Sequence, residues 1–355
     1  MTITQDIRTN TRIIRASYAD KNRVTQAQFR VETEEIDLNS VKPGGIILRN
    51  LYLSLDPYVR LTLDSEGNEA TAPMRILNVP FYGLGVAEVV ASGTDKYPVG
   101  TLITANTGYE KYTVFEYADN PYNFIRVLPA HARDESTGVG LYNYVSALGM
   151  PGLTALAGLK VMGVEAGKTI FIGSAAGGVG QLVGQFAKAQ GLNVIGSAGS
   201  EEKVNYVVTK LGFDSAFNYK TETTRAALAR LAPKGIDYFY DTIGGETLET
   251  VVEIINERGH ILSIGMLSQE NGKEGYPIRN LNLLAPKGAT IHGFIYYHHL
   301  HYFEELDKTV RPLLERGEIE YRQQVFDGIE NAPEHFINML DGKYAGKVAI
   351  KIADL

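Results

Sequence analysis

Thr169-Ile-Phe-Ile-Gly173, Ser174-Ala-Ala-Gly-Gly-Val-Gly180 and Gln181-Leu-Val-Gly-Gln-Phe-Ala-Lys188 follow one another without interruption. The first piece reads as an apolar strand, the second as a glycine-rich loop and the third as the start of a helix. Glycines at 177 and 180 let the backbone turn tightly and approach a pyrophosphate, whose charge is stabilised at a helix N-terminus. Ala175 stands where the first glycine of GxGxxG belongs. The string therefore carries weight through its strand-loop-helix setting, which points to dinucleotide binding. The alternative is that the glycines serve only a tight strand-to-helix turn.

Working outward, apolar strands are expected over 169–173, 193–197, 215–218, 237–241, 261–264 and 290–294, with helical runs between them. This alternation predicts right-handed βαβ units and a parallel sheet. Upstream, the rhythm is of short extended segments such as Gly45-Ile-Ile-Leu-Arg-Asn-Leu-Tyr-Leu-Ser-Leu55 and Gly83-Leu-Gly-Val-Ala-Glu-Val-Val-Ala-Ser92, each closed by turn residues. The stretch 317–355 returns to a strand-rich pattern ending in Lys347-Val-Ala-Ile-Lys-Ile352 and is expected to fold back onto the first domain. A chain of 355 residues exceeds the roughly 250–300 at which a single core stops growing, so two domains are expected.

Composition narrows the function. Apolar residues make up 44% and charged residues 21%, an ordinary globular balance. There are 34 basic and 41 acidic residues, for a net charge of −7, which argues against a general nucleic-acid binder. No run reaches the ~18 apolar residues of a spanning helix, and Met1-Thr-Ile-Thr-Gln-Asp-Ile-Arg8 lacks the apolar core of a secretory signal. The cytosol is the expected location. Cysteine is absent, which removes disulfides, thiolate nucleophiles and cysteine-containing zinc sites. No Gly-x-Ser-x-Gly elbow suggests a serine hydrolase.

Cofactor choice turns on the residues about twenty positions after the glycine loop, where an NAD-selective site presents a carboxylate to the ribose. Here the second strand ends in Ile195-Gly-Ser-Ala-Gly-Ser200, with no carboxylate at its tip. Ser200 offers a hydroxyl and a helix cap, and Lys203 follows, an arrangement that welcomes a 2′-phosphate. NADP(H) is the expected cofactor. Alternatively, Ser200 only caps a helix over 201–211 and Lys203 is a solvated charge.

Five segments then carry a resemblance: Leu53-Ser-Leu-Asp-Pro-Tyr-Val-Arg60, Gly149-Met-Pro-Gly-Leu-Thr154, the Gly177–Gly180 loop, Gly199-Ser-Glu-Glu-Lys203 and Phe217-Asn-Tyr-Lys220. Together they resemble the zinc-independent medium-chain dehydrogenase/reductase superfamily, in its double-bond reductase branch (leukotriene B4 dehydrogenase/prostaglandin reductase, alkenal reductase, curcumin reductase). The resemblance implies an α/β architecture with a Rossmann doubly wound parallel sheet domain plus a GroES-like partly closed β-barrel catalytic domain. It implies a catalytic domain over 1–133, an NADP-binding domain over 134–317 and a C-terminal return over 318–355, with substrate and nicotinamide meeting in the cleft and a homodimer as the norm. By the same resemblance Gly177, Gly178, Val179 and Gly180 hold the pyrophosphate, and Lys203 and Tyr219 reach the 2′-phosphate. Met150 and Thr154 border the nicotinamide; Ile264, Gly265, Met266 and Ser268, with Phe294, Ile295 and Tyr296, line the rest of the cofactor channel.

The chain departs from the family pattern at several places. Thr242 stands where relatives place Asn after the strand-end Asp, Tyr344 stands where they place Asn, and Glu270 and Pro286 occupy the positions aligned with an active-site tyrosine of some members. Phe81-Tyr-Gly-Leu-Gly85 replaces the Gly-His-Glu of zinc-dependent relatives, and zinc was their Lewis acid for alcohol chemistry. The expected reaction is instead reduction of a carbon–carbon double bond activated by a conjugated carbonyl. Hydride goes from NADPH to the β-carbon, an enolate develops, and a proton is added at the α-carbon. Small-molecule enals or enones are the expected substrates.

Tyr58, fixed by the Asp56-Pro57 turn, is the candidate donor to the enolate. The alternative is that its ring packs at the cleft while Asp56 and Arg60 form a structural ion pair. Tyr82, Tyr109, Tyr296 and Tyr297 are further candidates, or simply shape the pocket. His298 and His301 stand three apart but lack a carboxylate or cysteine partner at a recognisable spacing, so no metal is expected. Two other functions remain open: a zeta-crystallin-like quinone reductase and a non-catalytic NADPH-binding protein.

Overall fold

Ten consecutive residues of apolar-rich sequence, Ile46–Leu55, form the most buried long strand of the N-terminal half, with hydrogen-bonded neighbours on both sides. The computed structural model describes residues 5–20, 22–67, 74–272 and 275–355. Residues 1–4, 21, 68–73 and 273–274 lie outside the described residues.

The chain divides into two units: Met1–Ser146, Gln324–Tyr344 and Val348–Leu355 form one, and Ala147–Gln323 with Ala345–Lys347 the other. The first unit begins with the antiparallel pair β1 (Ile7–Arg15) and β2 (Phe29–Asp37). Then come β3 (Ile46–Leu55), β4 (Tyr82–Ser92), β5 (Leu102–Gly108), β6 (Tyr112–Phe115) and β7 (Arg126–Val127). The β3–β4 register shifts between Ile47 and Leu48 and again between Asn50 and Tyr52, irregularities that bend a sheet. Gly85 sits at this bend because a Cβ there would meet Thr107 Oγ1 at 2.4 Å and the Tyr52 carbonyl at 3.0 Å. Ile13, Leu53, Phe81, Phe336 and Ile350 are among the residues of the core.

Glu110, in the turn after β5, is buried and accepts hydrogen bonds from Asn10 Nδ2 (3.1 Å) and Thr113 Oγ1 (3.1 Å). Burial pushes its carboxyl up to about 7 despite both donors and Arg12. A carboxyl raised in the folded state favours folding while it is protonated and loses that advantage as pH rises through the folded value. Stability is therefore expected to fall by about 2 kcal/mol between pH 5 and pH 8 through this group. Glu110→Gln should flatten that part of the melting-temperature profile.

The second unit starts with α1 (Met150–Met162) and continues as strand and helix in alternation: β8 (Thr169–Ile172), α2 (Gly180–Ala189), β9 (Asn193–Ala198), α3 (Glu201–Thr209), β10 (Ser215–Asn218), α4 (Thr224–Leu231), β11 (Ile236–Asp241), α5 (Gly245–Ile254), β12 (Ile255–Ser263), α6 (Leu284–Lys287) and β13 (Thr290–Gly293). The six strands form a parallel sheet in the order β10-β9-β8-β11-β12-β13. This is the doubly wound arrangement, whose strand order reverses between β8 and β11; ligands bind beyond the carboxyl ends of such strands. Phe171 stacks on Phe239 (5.0 Å) and Phe217 (5.8 Å) in its core.

β12 begins six residues before the expected 261–264 segment. Asn256, Glu257 and Arg258 hide it, since the strand passes through Arg258 in a left-handed conformation (φ 58°) and the β11–β12 register shifts nearby. After α7 (Phe303–Glu315) come β14 (Gln323–Asp327), α8 (Ala332–Leu340) and β15 (Lys347–Lys351). The tail expected as strand-rich thus contains a helix, opened by Pro333 in its first turn, where proline's fixed φ is accommodated. β14 and β15 extend the first unit's sheet beside β3.

Candidate cofactor site

The glycine loop between β8 and α2 is tighter than its glycine content suggests. Its left-handed residue is Ser174 (φ 51°), whereas none of Gly177, Gly178 and Gly180 has a positive φ. Space, rather than backbone freedom, requires glycine at 180: a Cβ there would lie 2.5 Å from the Ser174 carbonyl and 2.8 Å from Ala175 Cα. The turn closes through Gly177 N–H donating to the Ser174 carbonyl at 2.8 Å. Gly177 is bridged in parallel to Gly346, which turns the Gly178 N–H toward that residue, and among the described residues no carbonyl accepts from the N–H groups of Val179 and Gly180. These two unspent donors at the start of α2 make a cradle fitted to a pyrophosphate.

At the end of the neighbouring strand, Ser200 caps α3, its Oγ accepting from Lys203 N–H at 3.3 Å. Tyr219 is exposed, and its hydroxyl lies 2.9 Å from where a Gly199 Cβ would stand, so only glycine lets the phenol lie there. The Lys203 ammonium is held below the usual lysine range, chiefly by burial and then by Lys220, with Arg322 adding to the effect. Glu201, the first carboxylate of α3, is turned aside: it accepts from Asn218 Nδ2 at 2.9 Å. Cations gathered around a hydroxyl cap fit a phosphate monoester.

On the other side of the switch point, Asp241 ends β11 fully buried, its Oδ1 accepting from the N–H groups of Ile243 (2.9 Å) and Gly244 (2.8 Å). Burial raises its carboxyl to about 6. The turn that it fixes templates the loop after β12: Ile264 N–H donates to Asp241, Leu267 N–H to Thr242 and Ser268 N–H to Ile243. Ser268 Oγ also donates to the Ile243 carbonyl at 2.6 Å. Gly265 follows Ile264 on this turn, and Met266 is 43% exposed at its tip. Thr242 spends its hydroxyl on the Gly173 carbonyl at 3.4 Å.

Phe294, Ile295 and Tyr296 continue β13, with Phe294 N–H on the Ser263 carbonyl and its ring stacked on His299 at 4.7 Å. Met150 is the first residue of α1, and Thr154, buried one turn on, accepts the Tyr240 hydroxyl at its carbonyl (2.6 Å). All sixteen residues expected at the cofactor thus lie in one unit, those outside α1 after the carboxyl ends of its strands. His298 and His301 lie in a short turn before α7, and among the described residues no three metal-capable groups cluster.

Tyr58 lies in the other unit. It stands in the 3₁₀ segment Pro57–Leu63, half-buried against the core. The ion pair of Arg60, weighed with Asp56 as the alternative to a catalytic Tyr58, is made with Asp64 instead. Asp56 precedes the segment without capping it through its side chain and accepts from Ser54 Oγ, while Arg60, fully buried, pairs with Asp64 (2.9 Å) and donates to the Asn22 carbonyl (2.9 Å). Tyr344, which stands in place of a family Asn, hydrogen-bonds His335 Nδ1 (2.7 Å) in that unit's core.

Sequence reasoning overlooked Tyr321, Arg322 and Gln181. Tyr321 donates its hydroxyl to the Gly178 carbonyl at 3.1 Å, and Gln181 bonds the backbone of Arg322 in both directions. The spacing of Gln181 and Gln185, two amides one turn apart on a helix whose only other polar residue is Lys188, was the available signal.

Comparison with known proteins agrees with this geometry. Residues 178–313 match the family described as zinc-binding dehydrogenase, and residues 15–120 the N-terminal domain of oxidoreductase. A zinc-type alcohol dehydrogenase-like protein of Schizosaccharomyces pombe is 40% identical, covering 92% of this chain and 91% of its own. The NADP(+)-dependent 2-alkenal reductase of Nicotiana tabacum is 36% identical over 94% and 96%. The crystal structure of CurA in complex with NADPH from Vibrio vulnificus superposes with a TM-score of 0.83 at 29% identity, covering 97% of this chain and all of its own. Likeness of this extent, on a doubly wound cofactor unit joined to a β-sheet unit, establishes that the chain belongs to the medium-chain dehydrogenase/reductase family, in its double-bond reductase branch.

Proposed function

We propose that this protein is an NADPH-dependent reductase of the carbon–carbon double bond of α,β-unsaturated aldehydes and ketones. The observation that carries the cofactor half is the cationic corner at Ser200, Lys203 and Tyr219, with Glu201 turned away to Asn218. The reaction half rests on 36% identity to a 2-alkenal reductase along nearly the whole chain. NADPH, when bound, supplies the hydride that goes to the β-carbon. The chain's part is to hold the dinucleotide and to meet the charge that develops on the substrate oxygen. The N–H groups of Val179 and Gly180 hold the pyrophosphate; Lys203 and Tyr219 hold the 2′-phosphate. The loop Ile264–Ser268, Phe294–Tyr296, Met150 and Thr154 enclose the rest. Tyr58 donates its phenol to the enolate oxygen, so that charge forms against a fixed donor.

Consumption of NADPH with a simple enone, a 2-alkenal and a quinone in parallel, followed at 340 nm with product analysis, tests the reaction. A saturated carbonyl product is the expected result. Turnover of quinone alone would move the assignment to a quinone reductase, and tight NADPH binding without turnover to a non-catalytic role. Lys203→Ala should raise the NADPH KM about tenfold and leave any NADH activity nearly unchanged; an unchanged NADPH constant would remove the 2′-phosphate assignment. We further infer a cytosolic homodimer, on the family norm and the net charge of −7. No helix among the described residues is long and apolar enough to cross a membrane. Light scattering of the purified chain measures the dimer directly.

A further inference from the structure

The segment 320–322 is laid along α2 as if it were a strand. Gln185 donates Nε2 to the Glu320 carbonyl (2.8 Å) and accepts Glu320 N–H at Oε1 (2.9 Å). One turn earlier, Gln181 repeats the pattern with Arg322, donating to its carbonyl (3.1 Å) and accepting its N–H (2.8 Å). Two side-chain amides at i and i+4 thus stand in for a neighbouring strand and fix the backbone at alternate residues. Tyr206 donates its hydroxyl to the same Gln181 oxygen (2.9 Å), and its ring lies beneath the Arg322 guanidinium at 4.0 Å. The Arg322 carbonyl also receives Lys347 N–H (3.1 Å), and Gly346 (φ 88°) is confined to glycine there by the same carbonyl.

So much fixation of one surface arginine needs a reason. Its guanidinium pairs with Glu202, on the first turn of α3, at 3.3 Å. Glu202 is 79% exposed and the arginine 35%, so the pair is worth little by itself. Lys203 is the next residue on α3, and its ammonium feels Arg322 and Lys220 as like charges. Glu202 is the carboxylate that offsets these cations in the free protein, felt by Lys203 as an opposite charge and paired with Arg322.

We propose that Arg322 is a specificity-determining residue for the 2′-phosphate of NADPH, held at the Lys203 corner by the Gln181–Gln185 ladder and kept there by Glu202 until the cofactor arrives. The proposal rests on the 2′-phosphate reading of that corner and extends it to a residue 120 positions from Glu202 in the chain. The guanidinium fork, flat on Tyr206, suits a phosphate monoester, and exchanging Glu202 for a dianion strengthens its pairing.

The test is calorimetric titration of the full chain with 2′,5′-ADP and with 5′-AMP, neither of which can react. Wild type should prefer 2′,5′-ADP. Arg322→Ala should weaken 2′,5′-ADP about tenfold and leave 5′-AMP unchanged; Arg322→Lys should recover part of the loss. Glu202→Gln should tighten 2′,5′-ADP, and Gln185→Ala should weaken it by a smaller factor at an unchanged 5′-AMP affinity. Equal affinity of both nucleotides for wild type would overturn the 2′-phosphate reading itself. Preference in wild type that Arg322→Ala leaves intact, with its melting temperature retained, would overturn the role of Arg322 alone. An unchanged 2′,5′-ADP affinity in Gln185→Ala would overturn the ladder's part.

Discussion

Gly180→Ala is expected to remain folded and to bind NADPH about a hundredfold more weakly. The added Cβ would have to sit 2.5 Å from the Ser174 carbonyl and 2.8 Å from Ala175 Cα, both backbone atoms. Ser174 already occupies the left-handed region, and Ala175 is fully buried. Relief must therefore come from moving the start of α2, and with it the N–H groups of Val179 and Gly180. Losing two charge-assisted hydrogen bonds, each worth about a tenfold change in affinity, gives the stated factor. Quenching of intrinsic tyrosine fluorescence by NADPH measures the affinity, and circular dichroism the fold. Affinity within threefold of wild type would mean that the pyrophosphate does not lie on this loop.

Tyr58→Phe should lower kcat about a hundredfold, the range typical of losing one oxyanion donor, while the NADPH dissociation constant stays as it was. The separation is expected because Tyr58 and the cofactor residues lie in different units, and because phenylalanine keeps the packing of the ring against its core. Stopped-flow reduction of an enone at saturating NADPH isolates the chemical step, so a fall in kcat without a fall in binding assigns the phenol to the enolate. An unaltered kcat would give that role to the cofactor ribose or to water.

Much of the cofactor unit was legible because two periods and one loop agree. The apolar run Thr169–Ile172, the glycines after it and the helix that follows are each weak alone and together admit one reading. Local sequence could not reveal that Ser174, rather than a glycine, takes the left-handed turn. That conformation is imposed by the hydrogen bond closing the loop. The start of β12 was hidden by a bulge at Arg258, where polar residues interrupt the strand pattern. In the segment after Pro57 both Asp56 and Asp64 stand four residues from Arg60. Only the fold decides between them, by turning Asp56 onto Ser54. Arg322 was out of reach because residues so far apart in the chain meet only through tertiary packing.

The ties between the glycine loop and the last fifth of the chain bear on how this protein can be taken apart. Tyr321 reaches the Gly178 carbonyl, Gly346 N–H reaches Ala176, and Lys347 N–H reaches Arg322. The dinucleotide unit is thus assembled from two separate stretches, the second only three residues long, Ala345–Lys347. A gene segment ending after α7 would encode the sheet but omit the braces on its phosphate-binding turn. In this chain cofactor recognition is not a cassette that can be cut out and grafted as one continuous piece, and chimaeras that exchange it must carry both stretches together.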